Sequence, residues 1–207
     1  MADAWPEFAA HGKHEVTLRH VLLHTAAVPG LPADTTVEDL CNWEHMCAVL
    51  ADSKPWWKPG TRFGCHALTL GFLAGDMLRR ATRRDVPSLL RGELTAPLGI
   101  EDDVHFGVPD AALSRGATAV GPVGPLPEPP APGSPMVRAM PRAVLPDADL
   151  VNRDDVLAAD IPSFGPMTAR SVARMYAALF GQSTVSGWCR PDDWRAWRRW
   201  RLRVWMR

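Results

Sequence analysis

The stretch WWKPGTRFGCHALTLG, residues 56–71, carries the strongest local signal in this chain. Its Pro59-Gly60 pair is typical of a turn, and the apolar spacing that follows predicts a helix over residues 66–83. The turn therefore leads a short aromatic and polar segment directly into an apolar helix. The face predicted to be buried consists of large side chains at helical spacing, namely Leu68, Phe72, Leu73, Met77 and Leu78.

Other segments outside this stretch also carry signals for regular structure. Capping residues and apolar spacing predict further helices over residues 18–24, 36–50, 86–95 and 169–180. Thr17 and Thr168 are the predicted N-caps of the first and last of these, and Pro97 is expected to end the third. Residues 1–14 are expected to form only a lead-in. Residues 121–133, rich in Pro and Gly, predict an extended excursion.

The composition is that of a soluble globular protein with one hydrophobic core. The chain has 207 residues, of which 46% are hydrophobic and 22% charged, which is enough for one domain. It shows neither a signal peptide nor a membrane-spanning run, so a cytoplasmic location is expected unless an upstream segment carries a signal. The cysteines form no Cys-x-x-Cys pair and are predicted to be reduced and mostly buried; they are Cys41, Cys47, Cys65 and Cys189.

The end of the chain differs abruptly from the rest. Residues 188–205 hold five of the nine tryptophans, and residues 182–207 carry a net charge of +5. The change predicts a reading-frame shift or a broken gene end, so that the domain covers 1–181 and the tail is not part of the fold. The functional alternative is a cationic interaction module for a membrane surface or nucleic acid. The irregular Arg/Trp spacing gives no helical face, so no nucleic-acid partner is expected.

Three blocks together resemble the serine β-lactamase-related family, which includes class C β-lactamases, penicillin-binding-protein-like enzymes and esterases. They are VTLRHVLLHTAAVPGLP at 16–32, the block from the Pro-Gly turn to PLG at 57–99, and IPSFG with the following helix at 161–179. The resemblance implies an α/β, β-lactamase-like fold. This chain would hold a fragment of it, mostly the helical subdomain with an incomplete antiparallel sheet.

The resemblance also implies a serine hydrolase that transfers acyl groups from esters or amides. In this family a serine of a Ser-x-x-Lys motif attacks the carbonyl, the lysine helps to remove its proton, and a tyrosine relays a proton. No serine in this chain has a lysine three residues later. We expect the nucleophile motif to lie upstream of Met1, and the Lys-Thr-Gly or His-x-Gly element that should follow the last helix is absent. The chain is therefore expected to be inactive as it stands.

The position that matches the family tyrosine is Cys65, and His66 follows it. A thiol is shorter than a phenol, so Cys65 is interpreted as a relic of the tyrosine position. The alternative is a cysteine nucleophile activated by His66. Trp57 and Phe164 are the predicted substrate-binding residues, and Trp57 has an equal alternative role in fastening the turn to the helical layer.

A zinc site is a further alternative on the first predicted helix. His20 and His24 are four residues apart and could present two imidazoles on one face, completed by His11, His14 or Glu15. The spacing is not His-Glu-x-x-His, and the competing interpretation is that His24 caps and packs the helix end. We predict no metal and no cofactor. The expected partner is a small-molecule ester or amide, and the sequence leaves the oligomeric state open.

Overall fold

The computed structural model of the protein describes residues 1–124, 128, 130–131 and 133–179. The Arg/Trp-rich tail lies outside these residues, so its exclusion from the fold and its alternative as an interaction module both stay predictions. No helix of the described residues has the length and apolar character needed to cross a membrane.

The described residues fall into two compact units. The first comprises Met1–Ser88 and Phe106–Pro166, and the described part of the second comprises 89–105 and 167–179. Their α-helices are α1 Leu18–Leu22, α2 Val37–Cys41, α3 Trp43–Asp52, α4 Thr69–Thr82, α5 Val86–Leu89, α6 Ala96–Leu98, α7 Asp110–Leu113, α8 Pro135–Ala139, α9 Ala148–Val151, α10 Asp154–Ala158 and α11 Ala169–Leu179. Segments of 3₁₀-helix occur at Pro6–Glu15, Arg142–Val144 and Pro162–Phe164, and a π-helical segment occurs at Leu90–Thr95.

The β structure of the described residues is limited to one isolated antiparallel bridge, between Val104 and Met167. The incomplete antiparallel sheet that the resemblance implied is therefore not found in this part of the chain. The reason is local, since these segments carry helix-capping residues and helical apolar spacing. They lack the alternation of period two that a half-buried strand requires.

Both predicted N-caps are confirmed. The hydroxyl of Thr17 accepts a hydrogen bond from the backbone N–H of His20 at 3.3 Å, which starts α1. The hydroxyl of Thr168 accepts from the backbone N–H of Ser171 at 3.2 Å, which starts α11. Each bond satisfies one of the N–H groups that a helix start leaves without an intrahelical partner.

Four predicted helices have different bounds, and the one expected over 18–24 already ends at Leu22. The helix expected over 36–50 is two helices, because the Asn42 side chain accepts from the backbone N–H of His45 at 3.1 Å and starts a new helix there. The helix expected from 66 begins at Thr69. Pro97 does not end the third helix, because it occupies the first turn of α6, where a backbone N–H is not needed.

The core of the first unit is centred on α4, which packs against α1 and α3. Phe72 is fully buried, and its ring lies 5.2 Å from the ring of Trp43, measured between centroids. Gly75 permits this approach, since a Cβ atom there would lie 2.5 Å from the indole of Trp43. The apolar face predicted for this helix is buried at Leu68, Phe72 and Leu73, whereas Leu78 remains 46% exposed.

The N-terminal segment belongs to this core, which corrects the expectation that residues 1–14 form only a lead-in. Trp5 and Phe8 are buried, with ring centroids 5.1 Å apart. Lys13 is fully buried, and its ammonium group donates to three backbone carbonyl oxygens, those of Ala10, Ala51 and Ser53. These bonds tie the segment to the end of α3. Lysine is almost never fully buried, so the composition gave no hint of this role.

The described part of the second unit has a small core of its own. The residues that form it are Leu98, Ile100, Val104 and Ala178. Ser171 at the start of α11 is buried, and its hydroxyl donates to the carboxylate of Asp103 at 3.2 Å. The backbone N–H of Thr168 donates to the carbonyl of Asp103 at 3.1 Å, so one acidic residue fixes the start of the helix.

Candidate active site

The turn-containing stretch that begins at residue 56 is held against the chain that follows α1. Backbone N–H groups donate across the two segments, from Trp56 to Ala27 at 2.8 Å, from Gly60 to Thr25 at 2.9 Å and from Gly64 to His24 at 3.0 Å. The predicted Pro-Gly turn is confirmed. Gly60 has a φ of +81°, a left-handed conformation that glycine adopts without steric cost.

Cys65 and His66 lie on different sides of the chain. Cys65 is exposed and its thiol is free, whereas His66 is completely buried. The Nδ1 atom of His66 lies 2.6 Å from the carbonyl oxygen of Gly64, and its Nε2 atom is buried without a hydrogen-bond partner. A neutral ring with its proton on Nδ1 fits this arrangement. The imidazole therefore makes no hydrogen bond to the adjacent thiol.

His24 holds the residue that follows Cys65. Its Nδ1 atom accepts a hydrogen bond from the backbone N–H of His66 at 3.0 Å, and the two rings are 5.6 Å apart. The ring of Phe63 meets His24 edge-on at 5.7 Å. We call His24 and His66 the histidine clasp, because together they fix the backbone on the C-terminal side of Cys65.

The zinc alternative gains no support in the part of the chain that the structure describes. No group of three or more His, Cys, Asp or Glu side chains there is placed to hold a metal ion. His20 lies in the capping box of α1, where its Nδ1 accepts from the backbone N–H of Thr17 at 3.3 Å. His24 packs the chain after the helix end, as the competing interpretation proposed.

The pKa of His66 is lowered to about 4, because burial lowers it strongly, the hydrogen bond to Gly64 raises it in part, and the proximity of His24 adds a smaller lowering effect. The unfolded chain binds the proton first as the pH falls below about 6.5, the ordinary pKa of histidine. The contribution of His66 to stability is therefore complete above about pH 6.5 and is lost as the pH falls toward 4.

Replacing His66 with asparagine is expected to remove the loss of stability that His66 contributes as the pH falls from 6.5 to 4, so that the variant gains stability relative to the wild type over this range. An asparagine amide can still donate to the Gly64 carbonyl but does not titrate, so a loss of up to about 3 kcal/mol should disappear. Asp160, whose pKa burial raises to about 6, titrates with the opposite sign and is present in both proteins. Urea unfolding at several pH values measures the difference, and equal slopes would contradict the assignment.

Trp57 closes the turn. Its indole N–H donates to the carbonyl oxygen of Arg62 at 3.1 Å, and its ring lies so close to Gly64 that a Cβ atom there would overlap it. Trp56 meets it edge-on, with centroids 6.3 Å apart. These contacts support the role of fastening the turn, and the substrate-binding role of Trp57 stays a prediction.

The Pro162–Phe164 turn docks at the N-terminal end of α4, the end at which Cys65 lies. The hydroxyl of Ser163 donates to the carbonyl oxygens of Ala67 at 3.0 Å and Leu68 at 3.2 Å. Phe164 is half-buried and packs against the core of the first unit. The structure therefore brings this turn close to residues 65–68, while a role of Phe164 in substrate binding stays a prediction.

Two residues of this region carry roles that the sequence did not reveal. Ser163 lacked the Gly-x-Ser-x-Gly frame of a nucleophile elbow, and its function as an anchor between carbonyl groups has no sequence signature. For His24 the sequence indicates a zinc ligand or a helix cap, but its hydrogen bond to the backbone of His66 spans 42 positions. A capping residue lies three positions from the N–H group that it accepts from, so the sequence shows a pattern. A hydrogen bond between residues far apart in the chain leaves no such pattern.

Two pockets of about 320 and 360 Å³ occur in the first unit. Trp5, Glu7 and Arg80 are among the residues that line the first. Arg142 and Leu145 are among those that line the second. Neither pocket is lined by any of the predicted site residues, so neither provides a substrate cavity for them.

The Pro-Gly turn thus leads into an apolar helix, and the IPSFG turn docks at the start of that helix. The family model for beta-lactamase matches residues 1–202. The chain therefore belongs to the beta-lactamase family, and the resemblance inferred from the sequence is confirmed. Among characterised proteins it is similar to the esterase/beta-lactamase LipL of Mycobacterium tuberculosis, with 33% identity over 202 residues, covering 90% of this chain and 45% of that protein.

Solved structures give the same result. EstA from Arthrobacter nitroguajacolicus is 34% identical with a TM-score of 0.73, over 86% of this chain and 48% of that one. A family VIII carboxylesterase is 32% identical with a TM-score of 0.79, and the match covers 90% of this chain and 49% of that one. A penicillin-binding protein homologue from Caulobacter crescentus is 32% identical with a TM-score of 0.65, and the match covers 90% of this chain and 49% of that one. The chain thus spans about half the length of the relatives it matches.

Proposed function

We propose that this chain supplies the helical, pocket-side part of an esterase-type serine hydrolase, whose reaction is acyl transfer on small-molecule esters or amides. Membership of the beta-lactamase family supports this, as do relatives named esterase and carboxylesterase. We also propose that these 207 residues do not catalyse the reaction by themselves.

The observation that carries this proposal is the chemistry present at Cys65. This residue stands where the family tyrosine is expected, and its thiol is exposed. A thiol at this position is shorter than a phenol and receives no hydrogen bond from the neighbouring His66, whose Nε2 is buried without a partner. A cysteine nucleophile needs a base within hydrogen-bond reach, and His66 does not provide one. The sequence also contains no serine with a lysine three residues later.

The remaining residues fit a role in shaping a pocket. Trp57 and Phe164 are both half-buried aromatic side chains. Trp57 belongs to the turn that leads toward α4, and Phe164 follows Ser163, which donates to the carbonyl groups of Ala67 and Leu68. Partly exposed aromatic rings of this kind form the walls of sites for apolar ester groups. In this proposal the histidine clasp and the hydrogen bonds of Ser163 hold the rings of Trp57 and Phe164 near residue 65.

The test is the hydrolysis of p-nitrophenyl butyrate by the purified chain and by two variants, Cys65→Ala and Cys41→Ala. Cys41 is half-buried, and its thiol donates weakly to the carbonyl of Asp155. It is therefore the control for the loss of a thiol that has no proposed role in the site. All three proteins are expected to match the rate in buffer. A rate above buffer that Cys65→Ala removes and Cys41→Ala retains would overturn the proposed inactivity.

A further inference from the structure

We propose that Arg138 is a positioning residue that acts on the candidate site through two tryptophans. Its guanidinium group holds Trp56, Trp56 holds Trp57, and Trp57 limits the size of the group that can approach residue 65. The inference rests on the proposed function, in which Trp57 forms one wall of the site. It deepens that function, because a narrow approach admits small ester or amide groups and excludes bulky ones.

The first contact joins α8 to the turn-containing stretch. The guanidinium carbon of Arg138 lies over the ring of Trp56, 4.1 Å from its centroid. At this distance the cation is attracted to the negative face of the indole. Arg138 is exposed and Trp56 is half-buried, so the guanidinium group covers a part of the ring that would otherwise be in contact with water.

The ring of Trp56 is also confined by a close backbone contact. A Cβ atom added at Gly30 would lie 2.5 Å from the indole of Trp56 and 2.9 Å from the Cα atom of Ala139. A residue with a side chain would therefore not fit at this position. The backbone N–H of Leu31 donates to the carbonyl of Ala139 at 3.4 Å, which fixes the end of α8 beside this ring.

The position of Trp56 determines the position of Trp57. The two rings meet edge-on with 6.3 Å between their centroids. The ring of Trp57 in turn packs against Gly64, where an added Cβ atom would overlap it, and Gly64 precedes the exposed Cys65. Closely packed rings do not move independently of one another. A change in the orientation of Trp56 would therefore move the wall beside residue 65.

The experiment compares two maleimides of different size on Cys65 of the full chain. N-ethylmaleimide and fluorescein maleimide form the same thioether bond, so the ratio of their rates reports the width of the approach and not the reactivity of the thiol. Peptide mass spectrometry distinguishes the adduct on Cys65 from adducts on the other cysteines. In Arg138→Met the rate of the bulky reagent relative to the small one is expected to rise about threefold, the change in population that follows loss of one exposed cation–π contact.

Three further variants control this measurement. Arg138→Lys keeps a cation near the ring and is expected to give a smaller rise than Arg138→Met. Arg142→Met is the matched control, because Arg142 is an exposed arginine that lines the second pocket, and its ratio should equal that of the wild type. Trp57→Ala should itself raise the ratio, and addition of Arg138→Met to it should have no further effect.

The outcomes separate this role from a general effect on the fold. An unchanged ratio in Arg138→Met would overturn the inference, as would an equal rise in Arg142→Met or in Arg138→Lys. A full further rise in the double variant would show that Arg138 does not act through Trp57 and would also overturn it. Thermal melting checks that the substitutions leave the fold intact. Since labelling needs no turnover, ester hydrolysis by the chain alone would contradict the proposed inactivity without affecting this result.

Discussion

Replacement of Phe72 by alanine is expected to lower the free energy of unfolding by about 4 kcal/mol. The ring is fully buried in α4 and packs on Trp43, with 5.2 Å between the ring centroids. The substitution removes apolar contacts and leaves a cavity, and the loss of the aromatic pair adds to the cost. Urea or thermal unfolding of the purified chain measures the change.

Leu78→Ala is the control for this experiment. Leu78 lies on the same helix but is 46% exposed, so the variant should lose less than about 1 kcal/mol. Similar losses in the two variants would contradict the burial pattern that places Phe72, and not Leu78, in the core of the first unit.

Replacement of Lys13 by methionine is expected to lower the free energy of unfolding by about 3 kcal/mol. Methionine is similar in size, but it removes the ammonium group that donates to the carbonyl groups of Ala10, Ala51 and Ser53. Buried acceptors left without donors each cost about 1–3 kcal/mol. Burial lowers the pKa of Lys13, so relief of this desolvation offsets part of the loss.

Lys54→Met is the matched control, because Lys54 is exposed and lies close to the same end of α3. This change should stay within about 0.5 kcal/mol of the wild-type stability. If Lys13→Met were as stable as Lys54→Met, the N-terminal segment would not be anchored by the buried ammonium group.

The sequence predicted the local parts of this fold well. Thr17 and Thr168 are confirmed as caps because a cap and the N–H it accepts from lie three residues apart, which leaves a visible pattern. The apolar face of α4 follows from helical spacing, and the family follows from three short blocks. The sequence did not predict that one helix ends before Asn42 and another begins after it, because the apolar spacing continues through this position.

Contacts between distant parts of the chain could not be predicted. Lys13 reaches carbonyl groups about 40 positions away, and the histidine clasp joins residues 42 positions apart. In the candidate site, the assignment of Cys65 to the position of the family tyrosine stays a prediction. The sequence could not predict that His66 would be buried with Nδ1 engaged by Gly64, since this depends on how the turn packs against the chain after α1.

Labelling with a fluorophosphonate tests most directly the claim that this beta-lactamase-family chain holds no acyl-transfer nucleophile of its own. The reagent forms a stable phosphonyl ester with an activated serine, and intact mass spectrometry detects one adduct per chain. We expect no adduct on the purified chain under conditions in which a known serine esterase in the same tube is fully labelled. A stoichiometric adduct mapped to any serine of this chain, Ser163 or Ser171 included, would contradict the account.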